Sequence, residues 1–351
     1  MTSMTIRAGL ALMLAPLLLA SCVRAPDNTL PKLNVDPARV KVAGLSSGAY
    51  MATQSHMAWP DVFSGAALVA GGPWGCAKGE LATALGTCMK GVPAPDVKAL
   101  ASRARADASA GKLGPLRDLA DDRIYVLHGK DDDRVAASVS KAAAQFYEAL
   151  RAEDPALASM TVIWDGDRNF GHNLPVAVSG EDCRASVAPY LGRCGFDAAG
   201  EIFDKLYGPA PASAKSPSGE LLRFDQHRLR PDGRDAFLAD TGYAYVPKAC
   251  RSGAECGVLV VFHGCKQNAE SVGETFVREA GFNRWADVYH VAVLYPQTRA
   301  SYAPLNPQAC WDWWGYSGAD YDTRAGVQQQ WLIRALAALG VARAQADIQQ
   351  P

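Results

Sequence analysis

Three side chains in this sequence have the types and order that acyl transfer requires. Gly44-Leu45-Ser46-Ser47-Gly48 fits the pattern G-x-S-x-G. A serine hydroxyl is a weak nucleophile at neutral pH. It becomes effective on a sharp strand-to-helix turn, where flanking glycines allow close backbone approach and a base can reach it. Ser46 holds the central position, and Ser47 is one residue off. A base needs an orienting acid, and His128-Gly129-Lys130-Asp131-Asp132-Asp133-Arg134-Val135 offers three consecutive carboxylates. The acid is thus open among them; the spacing His-Gly-x-x-Asp-x-x-Val selects Asp132 and leaves Asp131 and Asp133 as solvated turn residues. Of the six histidines, His172 follows Gly171 in a loop and completes the order serine, acid, histidine. His56, His227 and His290 read as structural, and His128 and His263, each before a glycine, read as loop-shaping.

The tetrahedral intermediate of acyl transfer also needs backbone N–H donors aimed at its oxyanion. The amide after the nucleophile, Ser47, supplies one. The second normally comes from a His-Gly turn after an earlier strand. Here the matching run, Leu259-Val260-Val261-Phe262-His263-Gly264-Cys265, follows the other catalytic candidates. That order results if a hydrolase is circularly permuted, which requires only that the old termini lie close together at the surface. No metal and no organic cofactor enters this chemistry.

These residues need a sheet to hold them. Apolar runs at 39–43, 63–70, 123–127, 160–164, 257–262 and 291–295 predict strands, and 50–58, 138–151, 274–289 and 323–339 predict helices. Residues 76–120 are Ala-rich and read as helical excursions or a cap; 208–219 is a loop by composition; 221–229 and 242–246 suit an antiparallel pair. Strands alternating with helices predict an α/β fold with a mostly parallel central sheet covered on both faces, of the α/β-hydrolase class, with the oxyanion strand after the triad.

The 351 residues carry 35 basic and 36 acidic side chains, which argues against a nucleic-acid partner. Arg7 precedes an apolar run, 8–20, of signal-peptide length, and Leu19-Ala20-Ser21-Cys22 is similar to a lipobox that would lipidate Cys22; a plain secretory signal is the alternative. The expected organisation is a signal at 1–21, a tether at 22–37, one hydrolase domain at 38–340 and a tail at 341–351. The protein is thus expected to be exported, held in the bacterial envelope by an N-terminal lipid or secreted. The other eight cysteines suit an oxidising compartment. Spacing pairs them as Cys76 with Cys88, Cys183 with Cys194, Cys250 with Cys256, and Cys265 with Cys310.

Several segments together resemble one family, the circularly permuted, single-domain poly(3-hydroxybutyrate) depolymerases. They are Gly44-Leu-Ser46-Ser-Gly48, Val69-Ala-Gly-Gly-Pro73, Gly171-His172, Val261-Phe-His-Gly-Cys265-Lys-Gln267 and Asn306-Pro-Gln-Ala-Cys-Trp-Asp-Trp-Trp314. The resemblance spans roughly residues 40–336 and combines several motifs. It implies a Ser46–Asp132–His172 triad, the Ser47 and Cys265 amides as oxyanion hole, and a polyester or oligoester substrate. It places Trp311, Trp313 and Trp314 near the substrate crevice; which of them lines it stays open, since clustered aromatics are commonly core. A separate polymer-adsorbing domain is not expected after residue 337, which points to soluble oligomers, amorphous material or another accessible ester. Esterases for small acyl or feruloyl esters, and polyamide hydrolases, could use the same apparatus.

Overall fold

β1 (Val35–Leu45) lies at the middle of the sheet, and its residues alternate between two apolar layers. Val40 and Val42 face one layer, Ala43 and Leu45 the other, the period of two expected of a strand buried on both sides. A computed structural model describes Met1 and residues 28–349; Cys22 and the expected signal segment lie outside the described residues. The other strands of this sheet are β2 (Gly65–Val69), β3 (Arg123–Gly129), β4 (Thr161–Arg168), β5 (Glu220–Asp225), β6 (Thr241–Val246), β7 (Cys256–Phe262) and β8 (Val291–Tyr295). They form one eight-stranded sheet in the order β4-β3-β2-β1-β7-β8-β6-β5. From β4 to β8 all neighbours run parallel; β6 and β5 join antiparallel at the far edge.

Helices cover both faces. α1 (Ser47–Ala58), α2 (Val97–Ser109), α3 (Ala137–Glu153) and α6 (Val327–Leu339) pack on the face that holds Val42 and Val260. α4 (Ala198–Tyr207) and α5 (Phe282–Tyr289) pack on the face that holds Ala43 and Val261. Fully buried Trp74, Phe146 and Trp331 fill the first layer, and Phe203 and Phe282 the second. The result is the doubly covered α/β sheet that the sequence predicts.

The boundaries differ in several places. Strand β1 begins at Val35, inside the expected tether, because Cys256 N–H reaches Asn34 C=O at 2.9 Å and Leu33 is tied to Leu339. The expected tail is instead a helix, α7 (Ala342–Gln349), whose Ala344 is buried. The expected helix 274–289 is broken at Gly281, which takes a φ of 91° open to glycine at no cost. The four expected disulfides are all formed: Cys76–Cys88, Cys183–Cys194, Cys250–Cys256 and Cys265–Cys310.

Candidate active site

Each candidate side chain leaves the C-terminal end of a parallel strand, the edge where open α/β sheets bind ligands. Ser46 follows β1, Asp132 follows β3, His172 follows β4, and His263 to Cys265 follow β7. Register brings two of these turns side by side, since Gly44 pairs with Phe262 across β1 and β7.

The serine turn is tight. Ser46 has φ 57° and ψ −120°, a conformation that costs energy for a residue with a side chain and that clusters at functional sites. Glycines make the turn possible: a Cβ on Gly44 would stand 2.1 Å from the Gly48 carbonyl oxygen, and one on Gly48 would stand 2.3 Å from the Phe262 oxygen. Helix α1 starts directly behind, so Ser47 is in its first turn, where backbone N–H groups have no intrahelical acceptor.

Of the three aspartates, Asp132 alone reaches the histidine. Its Oδ2 is 2.8 Å from His172 Nδ1, and its Oδ1 accepts the Arg134 and Val135 N–H groups at 2.8 and 2.9 Å. Asp131 instead pairs, through a buried oxygen, with Arg184, and the exposed Asp133 pairs with Arg134. The Asp132 side chain is fully buried. Burial alone would raise its pKa; the His172 hydrogen bond and charge, the Val135 N–H and His128 outweigh this and hold the carboxyl below its ordinary value. His128 donates from Nε2 to the Val135 carbonyl at 3.0 Å and so braces the acid's loop; burial holds its imidazole below the usual range.

His172 is buried in a loop that side chains fasten at every step. Its N–H donates to Ser186 Oγ at 3.0 Å, Gly171 N–H donates to the Cys183 carbonyl at 2.9 Å, and Asn173 Nδ2 donates to the Cys183 and Ala185 carbonyls. The Cys183–Cys194 disulfide closes this excursion. Among the described contacts His172 and Ser46 are not hydrogen-bonded to each other, but both line one cavity. Looser spacing of this pair is common before substrate binds.

On the opposite side, the Gly264–Cys265 peptide is held by its carbonyl. His263 Nδ1 donates to the Gly264 oxygen at 2.7 Å, while Nε2 accepts the Thr298 N–H at 3.2 Å, which assigns the neutral Nδ1–H tautomer. Burial pushes the His263 imidazole down to about 4. The Cys265 N–H, on that same peptide, has no acceptor among the described residues and remains free to donate. Gln267, fully buried, accepts the Gly264 N–H at 2.8 Å and donates to the Pro189 and Tyr190 carbonyls at 2.9 and 3.2 Å. Tyr190 in turn accepts the Leu174 N–H, two residues after His172. One side chain thus joins the His263–Cys265 loop to the His172 loop. The Cys265–Cys310 disulfide ties the same loop to the tryptophan segment.

Two lobes meet at Ser46. The larger, of ≈ 280 Å³, is apolar; Tyr50, Leu85, Val135, Leu305, Trp313 and Trp314 are among its lining residues. The second, of ≈ 270 Å³, is more polar and contains His172, Arg134, Tyr190 and Lys266. Trp313 stacks on Tyr50 with ring centroids 4.6 Å apart. Asp312 accepts the Gly315, Tyr316 and Ser317 N–H groups and so folds the turn that presents Trp313 and Trp314. Trp311 does not line either lobe: it is buried against Phe262 and His263. Sequence reasoning missed Tyr50, although its place four residues after Ser46, one helical turn on, puts it beneath the serine. Leu81, Leu85 and Met89 carried no such signal. Among the described residues no group of three or more His, Cys, Asp or Glu side chains is placed to hold a metal ion.

Known proteins are similar to this chain in sequence and architecture. A family model described as "Esterase PHB depolymerase" matches residues 242–343. The poly(3-hydroxybutyrate) depolymerase of Delftia acidovorans is 38% identical over 304 residues, covering 85% of this chain and 59% of the relative. The polyhydroxybutyrate depolymerase of Talaromyces funiculosus is 33% identical over 321 residues, covering 87% of this chain and 90% of the relative. Among solved structures, the PHB depolymerase from Penicillium funiculosum superimposes with a TM-score of 0.76 at 30% identity, over 90% of this chain and 98% of that one. A serine-to-alanine variant of a PHB depolymerase complexed with an R3HB trimer gives a TM-score of 0.78 at 30% identity, over 90% and 99%.

Proposed function

Because the chain belongs to the poly(3-hydroxybutyrate) depolymerase family, we propose that it is a serine esterase that hydrolyses poly(3-hydroxybutyrate) or its oligomers through an acyl-enzyme on Ser46. The observation that carries this reading is the Asp132–His172 hydrogen bond at 2.8 Å, in a cavity that His172 shares with a strained Ser46.

In the proposed mechanism His172 Nε2 takes the Ser46 proton as the hydroxyl attacks the ester carbonyl. Asp132, bound to Nδ1, sets the tautomer that leaves Nε2 basic and stabilises the imidazolium that forms. The Ser47 and Cys265 amides receive the oxyanion, held where charge develops and needing no reorganisation. His172 then protonates the departing alcohol, water enters, and the same base activates it against the acyl-enzyme. Trp313, Trp314 and Tyr50 give the acyl chain an apolar wall. Incubating the purified protein and its Ser46→Ala variant with 3-hydroxybutyrate oligomers tests the reading. Monomer or dimer released by the wild type alone is expected; equal release by the variant removes Ser46 from the chemistry.

The strand order supports the circular permutation. The oxyanion strand β7 lies beside the nucleophile strand β1 in space yet follows it by about two hundred residues, and α6 closes onto the nucleophile strand's layer. Four disulfides support export, and the Leu19-Ala20-Ser21-Cys22 motif supports a lipid anchor on Cys22. Mass analysis of the mature N-terminus distinguishes a diacylglyceryl cysteine from an unmodified secreted end.

A further inference from the structure

The two lobes at Ser46 differ in charge, and the mechanism assigns them different halves of the substrate. A general acid must stand beside the oxygen that it protonates, so the leaving alcohol occupies the lobe that contains His172. The acyl half then lies in the apolar lobe under Trp313 and Trp314. The His172 lobe also holds two cationic side chains, Arg134 and Lys266, on opposite loops: one follows the acid, the other the oxyanion amide. An internal polyester segment is neutral and gives them nothing to pair with. A leaving group that is the terminal 3-hydroxyacid carries a carboxylate three carbons from the alkoxide oxygen, within the same lobe.

We propose that Arg134 and Lys266 form a carboxylate subsite on the leaving-group side of Ser46, through which the enzyme grips an oligoester by its free carboxyl end. The proposal rests on the esterase reading above and names its substrate class: short, soluble oligo(hydroxyacid)s cut one unit from that end. Neither cation is locked away from such a ligand. Lys266 is exposed, and the exposed Arg134 guanidinium pairs, among the described residues, with Asp133 at 3.4 Å and open to solvent. Lys90 Nζ, 3.0 and 3.2 Å from the Asp133 and Arg134 carbonyls, adds positive charge behind the loop. Of the other two carboxylates on this turn, Asp131 is engaged by Arg184 and Asp132 by His172. The step itself is ordinary hydrolysis: the acyl C–O bond breaks, His172 delivers a proton to the alkoxide, and the hydroxyacid leaves with its carboxylate unchanged. Water then releases the shortened chain from Ser46 as a new carboxylic acid, which presents the end that the subsite takes next.

The test compares a 3-hydroxybutyrate trimer with its methyl ester, on wild type, Arg134→Gln, Lys266→Gln and the double variant. The readout is the ratio of kcat/KM for acid over ester, in which any common effect on catalysis cancels. Exposed charge pairs are individually weak, so a wild-type ratio of roughly three to tenfold is expected, shrinking in each single variant and approaching one in the double variant. Added salt should shrink the wild-type ratio as well. With ¹³C in the carboxyl-terminal unit, the first monomer released should carry the label. A wild-type ratio of one, a ratio that survives in the double variant, or label appearing first in the dimer overturns the subsite alone. If neither trimer is cut while a fluorophosphonate still labels Ser46, the polyester reading falls and the subsite with it; if Ser46 is not labelled, the esterase reading itself falls.

Discussion

Single residues show how unevenly the site is written in the chain. Ser46 is legible because its strained turn demands glycines at 44 and 48, and demands of that kind leave a local mark. Asp132 is legible only through spacing, since composition cannot separate it from its two neighbours. An Asp132→Asn substitution should lower kcat by roughly 10⁴ through loss of the productive tautomer. Asp131→Asn, which touches only the pair with Arg184 and not His172, should stay near wild type in the same steady-state assay, and the reverse ranking would move the acid. Gln267 stands in a recognisable motif, yet its role is illegible there because the carbonyls that it holds, of Pro189 and Tyr190, lie 78 and 77 residues away. Replacing it with Leu leaves the Gly264 N–H and the Pro189 carbonyl without their partner and takes one of two donors from the Tyr190 carbonyl. The expected result is a loss of about ten- to a hundredfold in kcat with KM little changed, because the displaced donor matters most in the transition state. An unchanged kcat in a folded variant would show that the oxyanion loop does not need this bridge.

Elements were easier to read in kind than in extent. The parallel strands announce themselves as continuous apolar runs, because both faces are covered and nothing polar has to point outward. Their ends are set by partners that local sequence does not contain: β1 starts at Val35 through contacts with residues near 256 and 339, far away in the chain. The helix over 342–349 is likewise set by packing, through buried Ala344, whereas the break at Gly281 follows from a local φ of 91°. The cap between residues 76 and 120 supplies Leu81, Leu85 and Met89 to the apolar lobe, a contribution that follows from where the cap folds back. Disulfide pairing, in contrast, was legible from spacing alone, since three of the four bridges close short loops. The fourth, Cys265–Cys310, spans 45 residues and fixes the His263–Cys265 loop against the tryptophan segment. Replacing both cysteines with serine should cost about 2–4 kcal/mol of stability. It should also cut turnover by more than the accompanying loss of folded protein, as read by active-site titration against kcat.

At the scale of the whole molecule, acid sensitivity follows from a neutral imidazole sealed in the core. His263 has a folded pKa of about 4, below the ordinary 6.5. Between these two values the unfolded chain binds the proton more readily than the folded one. Stability is therefore complete above about pH 6.5 and erodes as pH falls toward 4, by roughly 3 kcal/mol from this group. Denaturant midpoints measured from pH 7 to 4.5 should fall accordingly, and a His263→Asn variant, less stable at pH 7, should show a flatter dependence.

The disulfide at the oxyanion loop also bears on when the molecule works, not only on how. Cytosolic thiols stay reduced, so a chain still inside the cell lacks the bond that pins the Cys265 amide opposite Ser46. Oxidation on export would then act as a built-in safety catch.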